Sequence, residues 1–338
     1  MIGFIVITII IYILRIINVN ASLSVDLHYP EIKIHFSFSG INEDCSLSKC
    51  LPGLFCNAAK ICVRNLTSCS SYKWTNTLWK PSCNDDDSWS AKQCKGEISN
   101  GKCFCYNPKG TRIFGWTWWK NSKNMTCACS RRRDELKGIR DDVSLHCSEN
   151  GNYEELQCDN GLCWCVETKT GKPTQRIYPE SVMTYLPCYK KKHVGLQYLR
   201  QCESKHIAKS QMLMKLKTHG MEFLHLDDVF CDGDGSYGFY KLVKKQAQCT
   251  WKDSKQLELY QGPVFGILSM NCHCARDTRI LNDEGIEMIL TCQSNGNYDV
   301  SQIDNGRPFC VDDDGFPTTS LGDFGQIIKC PPTIIEIE

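Results

Sequence analysis

The chain has 338 residues, 24 of them cysteines, and its 39 lysine and arginine side chains nearly balance its 38 aspartate and glutamate side chains. A chain so close to neutral has no bulk field that would attract nucleic acid or a membrane surface. The high and even cysteine count predicts a disulfide framework made in an oxidising compartment. It disfavours a single large core and favours small cross-linked modules.

The N-terminal residues predict how the chain is routed. An apolar stretch runs to about Leu14, and after Arg15 the small residues Val19 and Ala21 occupy the positions that signal peptidase favours. We interpret residues 1–21 as a signal peptide, because the apolar run is shorter than the roughly 18 residues of a membrane span. An uncleaved anchor is the alternative. The chain is therefore expected to be secreted and extracellular, with no stable membrane insertion.

The next two segments precede the repeats. Residues 22–44 contain no cysteine that would tie them down, and we interpret them as a leader of uncertain order. Residues 45–68 are predicted to form a small two-disulfide module. This small cysteine knot contains Cys45, Cys50, Cys56 and Cys62, whose three possible pairings stay open. The sequons at Asn65 and Asn124 are predicted glycosylation sites.

A pattern of six cysteines is clearest in residues 129–188, the second module. Gly151 and Tyr153 follow its second cysteine, Gln157 precedes its third, and Cys163-Trp164-Cys165-Val166 lies at its centre. These offsets resemble those of the thyroglobulin type-1 module. Residues 69–127, the first module, show the same spacing with more divergence, since Asp87 and Trp89 stand at the Gly and Tyr positions.

Two further copies follow, the third module at residues 202–272 and the fourth at residues 274–330. Gly235 and Tyr237 in the third, and Gly296 and Tyr298 in the fourth, keep the offset of the second module. Both copies lack the third and fourth cysteines together. Because an unpaired thiol risks mispairing, this joint loss indicates that those two cysteines are partners.

The family resemblance implies pairing of the first cysteine with the second, the third with the fourth, and the fifth with the sixth. The implied disulfides are Cys69–Cys83, Cys94–Cys103, Cys105–Cys127, Cys129–Cys147, Cys158–Cys163, Cys165–Cys188, Cys202–Cys231, Cys249–Cys272, Cys274–Cys292 and Cys310–Cys330. Cys127-Ala-Cys129 and Cys272-His-Cys274 then become the junctions between modules.

The fold class is small disulfide-rich α+β modules in tandem, each with a short helix and a small antiparallel sheet. Residues 131–139 and 210–216 have helical propensity, and Asp159-Asn160-Gly161 predicts a hairpin between extended segments around Cys158 and Cys163. Modules of about 60 residues bury too little surface to be stable alone, so each disulfide is expected to add about 2 to 4 kcal/mol.

Several local features have two interpretations. The Cys-x-Cys pairs could bind metal, but each of these cysteines has a disulfide partner, so no cofactor or metal is predicted. The cluster Trp116, Trp118 and Trp119 is either a binding patch or, as we favour, hydrophobic filling. Arg131–Arg133 could bind sulfated glycans or be processed, but a solvated helix face is the simpler interpretation. The acidic run Asp312–Asp314 is interpreted as a turn.

No base lies beside a nucleophile in any recognisable motif, so we expect no enzyme activity. The resemblance implies binding, because some family members inhibit papain-like cysteine proteases with a wedge of disulfide-tied loops. The predicted function is a secreted inhibitor, monomeric, whose partners are extracellular or lysosomal-type proteases. The alternative is an extracellular matrix or growth-factor-binding protein that uses the repeats as partner-binding modules.

By position, the matching loops of the second module lie before its second cysteine and around the central turn. The candidate inhibitory residues are Ser144, Leu145, His146, Asp159, Asn160, Gly161, Leu162 and Trp164. The second module is the expected inhibitory one, since it alone keeps the whole motif. Isolated residues 129–188 are therefore expected to retain any inhibition that the chain has.

Overall fold

A computed structural model describes residues 69–70, 78–140, 142–221 and 229–330, with residues 38–39, 46, 49–50, 54–56, 60 and 62–64 nearer the N-terminus. The predicted signal peptide, nearly all of the leader, Cys45 and Asn65 lie outside these residues. Accordingly, the pairing of the four front cysteines and the sequon at Asn65 stay predictions.

The described residues fall into two compact units. The smaller unit holds those up to residue 73 together with 82–90 and 108–110. Within it, β1 pairs with β2 in parallel and β3 pairs with β4 in an antiparallel hairpin, and the disulfide Cys69–Cys83 closes the loop before Trp89. These strands are β1 Phe38–Ser39, β2 Lys49–Cys50, β3 Leu54–Cys56 and β4 Cys62–Arg64.

The larger unit contains a small antiparallel sheet from each module. The first module has β5 Lys92–Lys95, β6 Lys102–Tyr106 and β7 Arg112–Trp118, and the second has β8 Leu156–Asp159, β9 Leu162–Cys165 and β10 Tyr178–Pro179. The third has β11 Tyr240–Val243, β12 Gln246–Thr250 and β13 Gln256–Pro263, and the fourth has β14 Ser301–Asp304 and β15 Arg307–Cys310.

The helices are α1 Ala128–Lys137, α2 Lys191–Val194, α3 Gln201–Thr218 and α4 His273–Asp283. Short 3-10 helices cover Trp119–Asn124, Glu180–Tyr185 and Val264–Ser269. The helix predicted at residues 131–139 begins and ends slightly earlier, and the one predicted at 210–216 is the second half of the longer α3. In the first module the corresponding residues 71–77 lie outside the described part.

The expected α+β fold class is confirmed, and the described residues from Cys69 onward contain ten disulfides with the partners that the resemblance implied. At the module junctions, Cys127 (φ 59°) and Cys272 (φ 52°) adopt the left-handed conformation just before α1 and α4. The chain therefore turns sharply between two disulfides that are one residue apart.

The glycine of the Gly-x-Tyr motif packs against the preceding module. A Cβ atom on Gly151 would lie 2.4 Å from Sγ of Cys105 and 2.8 Å from Oγ of Ser130. Gly296 has the same position over Cys249 in the fourth module. Only a residue without a Cβ lets the disulfide of one module contact the backbone of the next.

The first and fourth modules meet through buried charges. Lys95 Nζ lies 2.7 Å from Asp312 and 2.5 Å from Asp314, and Asp314 also accepts hydrogen bonds from Arg112 and from the Tyr106 hydroxyl. Burial alone would raise the pKa of Asp314, but Lys95 and Arg112 hold it well below its usual range. The run Asp312–Asp314 does form a turn, yet the sequence-based interpretation missed its buried ion pairs.

We expect Gly151→Ala to destabilise the protein by about 1–3 kcal/mol more than Gly161→Ala, because only the first substitution forces a methyl group into packed atoms. Both glycines have similar positive φ angles, 78° and 75°, and the Cβ of Gly161 would meet open space. The measurement is urea-induced unfolding of the two variants. Equal losses would contradict close packing at Gly151.

We also expect Asp314→Asn to cost about 3–5 kcal/mol, because it leaves the buried Lys95 and Arg112 without their shared carboxylate. Asp313→Asn is the matched control, since Asp313 is the neighbour of Asp314 in the chain and its own side chain is exposed. Denaturant unfolding of both variants checks this. A loss no larger for Asp314→Asn than for the control would contradict a structural role of the cluster.

Candidate functional site

The central turn of the second module is a two-residue hairpin turn at the surface. Strands β8 and β9 pair Cys158 with Cys163 and Asp159 with Leu162, which leaves Asn160 and Gly161 as the turn. Their φ angles of 50° and 75° are those of a type I′ turn, and Asn-Gly is the dipeptide that adopts this turn most readily. The predicted hairpin is thus present.

Three interactions hold this turn in place. The disulfide Cys158–Cys163 crosses the hairpin one residue pair below the turn. The backbone N–H of Glu180, next to β10, donates to the Gly161 carbonyl at 2.8 Å. Slight burial would lower the pKa of Arg140, but its ion pair with Asp159 raises it. The turn is therefore exposed and fixed on both sides.

The other predicted loop is not at the surface. Ser144, Leu145 and His146 are all buried, with His146 only 2% exposed. Ser144 Oγ donates to the Cys158 carbonyl at 2.9 Å, and the Leu145 carbonyl accepts from Arg133. The expectation that these three residues form an accessible loop is therefore wrong.

Residues beyond Cys188 cover this segment. The Tyr198 ring stacks on His146 with centroids 4.2 Å apart, and Glu203, at the start of α3, approaches His146 Nε2 to 2.6 Å. The Cys147 N–H donates to the Gly233 carbonyl of the third module at 2.9 Å. The third module thus helps to bury the segment Ser144–His146, which the sequence analysis predicted would contact a protease.

The glutamine before the third cysteine explains why the two segments lie together. Gln157 is completely buried, and its amide accepts from the His146 N–H at 3.0 Å and donates to the His146 carbonyl at 2.8 Å. One side chain thereby replaces a pair of backbone hydrogen bonds between neighbouring strands. The motif residue is structural.

Arg133 also differs from its sequence interpretation. The run Arg131–Arg133 was expected to be a solvated helix face, yet Arg133 is 5% exposed and lies 3.6 Å from Glu203. Burial lowers its pKa, although Glu203 opposes this effect. Arg133 is buried among acceptors from two modules, because the Leu145 carbonyl belongs to the second module and Glu203 to the third.

An apolar flank lies beside the turn, and of its members only Leu162 and Trp164 were among the predicted residues. Leu162 of the turn is 46% exposed and Trp164 is half-buried. The neighbouring segment, which runs through β10 and the 3-10 helix, has four exposed apolar or aromatic side chains: Ile177 just before β10, Tyr178 on it, and Val182 and Tyr185 on the helix. In Glu180–Tyr185 only Met183 is buried, and Leu186 follows it three residues later in the core. Met183 and Leu186 are spaced by three residues, the period of a 3-10 helix. This spacing could have indicated that Val182 and Tyr185 point away from the core.

The tryptophan cluster predicted from the sequence packs against other residues of the protein. Trp116 and Trp118 are half-buried and pack edge to face, with Lys102 Nζ about 5 Å from both ring centroids and paired with Asp277 of the fourth module. Among the described residues, no group of three or more His, Cys, Asp or Glu side chains is placed to hold a metal ion. In the same part of the chain, no helix is long and apolar enough to cross a bilayer.

Comparison with known families agrees with this geometry. The thyroglobulin type-1 repeat matches residues 62–127 and 129–180. The chain contains tandem thyroglobulin type-1 repeats. These matches cover the first module and most of the second, where the hairpin turn lies.

Relatives match only in part. Equistatin of Actinia equina is 30% identical over 102 residues, which are 26% of this chain and 41% of equistatin. Human thyroglobulin is 22% identical over 245 residues, or 71% of this chain but 8% of thyroglobulin. U20-hexatoxin-Hi1a of Hadronyche infensa is 29% identical over 98 residues, 27% of this chain and 63% of the toxin. The chain thus spans less than a tenth of thyroglobulin and less than half of equistatin.

The core of the second module extends past Cys188, because Tyr198 is packed with Leu156, Met183 and Leu186. We expect a fragment of residues 129–200 to be about 3–5 kcal/mol more stable than residues 129–188, the usual cost of removing a buried aromatic side chain. Urea unfolding of both fragments checks this. Tyr198→Ala in the longer fragment should remove most of the difference, and equal stability of the two fragments would contradict the extended core.

Proposed function

We propose that this chain is a secreted, non-enzymatic inhibitor of papain-like cysteine proteases, and that it acts as a monomer. The observation that carries the proposal is the Asn160–Gly161 turn, which is exposed and braced on both sides. It projects from a scaffold in which the described part of the chain forms ten disulfides. Such a turn suits the cleft of a protease that accepts an extended chain.

Rigidity gives the turn two advantages as an inhibitor. A loop that is already fixed loses little conformational entropy when it docks, so more of the contact energy appears as affinity. A protease must also open a loop locally before it can cut it, and the disulfide Cys158–Cys163 opposes that opening. The braced turn can therefore occupy a cleft without becoming a substrate.

The apolar flank supplies contact area beside the turn. Leu162 lies at the end of the turn, and Tyr178 on β10 pairs with Cys163 on β9. Both side chains are exposed, as is Tyr185 at 86%. Tyrosine is a frequent anchor of protein interfaces because it combines a large apolar ring with one polar group.

Three further findings support this proposal. Equistatin, a cysteine protease inhibitor, resembles this chain over 102 residues. The disulfide density and the thyroglobulin relatives indicate an extracellular protein. Asn124 is exposed at the end of the 3-10 helix Trp119–Asn124, as glycosylation in the secretory pathway would require. The signal peptide and the glycan stay part of the proposal.

We expect the oxidised full chain to inhibit a papain-like cysteine protease tightly and stoichiometrically, because the braced turn needs no rearrangement to dock. The measurement is a titration of protease activity, with an aspartic and a serine protease in parallel. Reduced and alkylated protein is the control, since it loses the brace and should not inhibit. Absence of inhibition of all three proteases would reject the proposal and favour a matrix or growth-factor-binding role.

A further inference from the structure

The fourth module repeats the second without a gap. Every residue from Cys129 to Cys165 has its counterpart 145 positions later, so that Asn160-Gly161 corresponds to Asn305-Gly306. The central cysteines are replaced, with Ile303 for Cys158 and Pro308 for Cys163. On sequence alone, this loss argues against a working site in the fourth module.

The structure nevertheless shows the same turn. Asn305 and Gly306 have φ angles of 47° and 76°, and β14 pairs with β15 in the register of β8 with β9. The Gly325 N–H donates to the Gly306 carbonyl at 3.0 Å, in the same way as Glu180 does for Gly161. The Phe324 ring packs on Gly306, where a Cβ would lie only 2.4 Å away. Packing and a hydrogen bond thus hold the turn without the disulfide.

The first loop of the fourth module, the segment before Cys292, is also held as in the second module, but it is open to solvent. Gln302 accepts from the Thr291 N–H at 2.9 Å and donates to its carbonyl at 2.8 Å, as Gln157 does with His146. The segment before Cys292 is therefore fixed beside the hairpin. Ile289, the counterpart of the buried Ser144, is 94% exposed. In the second module, by contrast, Tyr198 and Glu203 cover the corresponding segment before Cys147.

These two loops present an apolar edge. Met288 and Ile289 are exposed on the first loop, and Ile303 is 64% exposed at the base of the turn. Phe324, which packs on the turn, is exposed as well. Exposed large apolar side chains that lie near one another mark a binding surface. At the hairpin end, the charges of Asp304 and Arg307 are opposite in sign, and the two residues are paired in register.

We propose that the fourth module carries a second docking edge for a papain-like cysteine protease, formed by Met288–Ile289 and by the turn Asp304–Arg307. This inference rests on the proposed function and adds a second site to it. The edge is apolar and has no excess of positive charge, since the exposed Glu287 and Asp323 adjoin Met288 and Phe324. It therefore fits an apolar protein surface and does not fit a polyanion or an anionic membrane. Both loops reach solvent here, whereas only one does in the second module.

The test counts protease equivalents with three variants of the full chain. Ile289→Asp with Ile303→Asp places charge on the fourth-module edge at exposed positions, so the fold should be kept. Leu162→Asp with Tyr178→Asp does the same beside the second-module turn, and the third variant combines all four substitutions. Thermal unfolding of each variant checks that the fold is intact, and active-site titration against papain gives the number of equivalents and the inhibition constant.

We expect the wild-type chain to inhibit two equivalents, each double variant one, and the combined variant none, with inhibition weakened at least 100-fold. A wild-type chain that inhibits only one protease equivalent also supports the proposal if each double variant keeps this inhibition and only the combined variant loses it. In that case either edge can bind the protease, but a protease on one edge blocks the other edge. One equivalent that Leu162→Asp with Tyr178→Asp abolishes, and that Ile289→Asp with Ile303→Asp leaves unchanged, overturns the second edge alone. No inhibition by the wild-type chain rejects the proposed function itself.

Discussion

Pairs of cysteines separated by one residue set the geometry of the larger unit. At Cys127-Ala-Cys129 and Cys272-His-Cys274, one disulfide ends and the next begins before the chain can diverge. A linker of one residue leaves neighbouring modules little freedom to separate. The backbone at Gly151 and Gly296 is consequently pressed against the disulfide of the preceding module, and the motif glycine becomes part of the junction.

Inter-module packing then decides which loops can meet a partner. The second and fourth modules have the same hairpin and the same glutamine hydrogen bonds. They differ in how their first loops are covered, because Tyr198 and Glu203 lie over the second module while Ile289 of the fourth is open. A family motif therefore defines a module's fold, whereas accessibility depends on residues outside the motif.

Much of the framework was readable from the sequence. The cysteine spacing and the family resemblance predicted all ten described disulfides, and Asp159-Asn160-Gly161 predicted the hairpin, because these features depend on short-range geometry. The burial of Ser144–His146 and of Arg133 was missed, since the covering residues Tyr198 and Glu203 lie beyond the last cysteine of the second module. Asp312–Asp314 looked like a plain turn for the same reason. Its partner Lys95 is more than 200 residues away, and no local pattern connects them.

The contact between Lys95 and Asp314 also bears on how the chain is made. The two residues are 219 positions apart, so synthesis must pass the hairpin of the fourth module before Lys95 can acquire Asp314 as its counter-ion. Until then the first module, already oxidised, has an unneutralised lysine and arginine on a surface that is later buried. Domains generally fold from the N-terminus during synthesis. The early modules must therefore stay soluble as separate bodies until the fourth module is synthesised, and the contact between the first and fourth modules forms late in assembly.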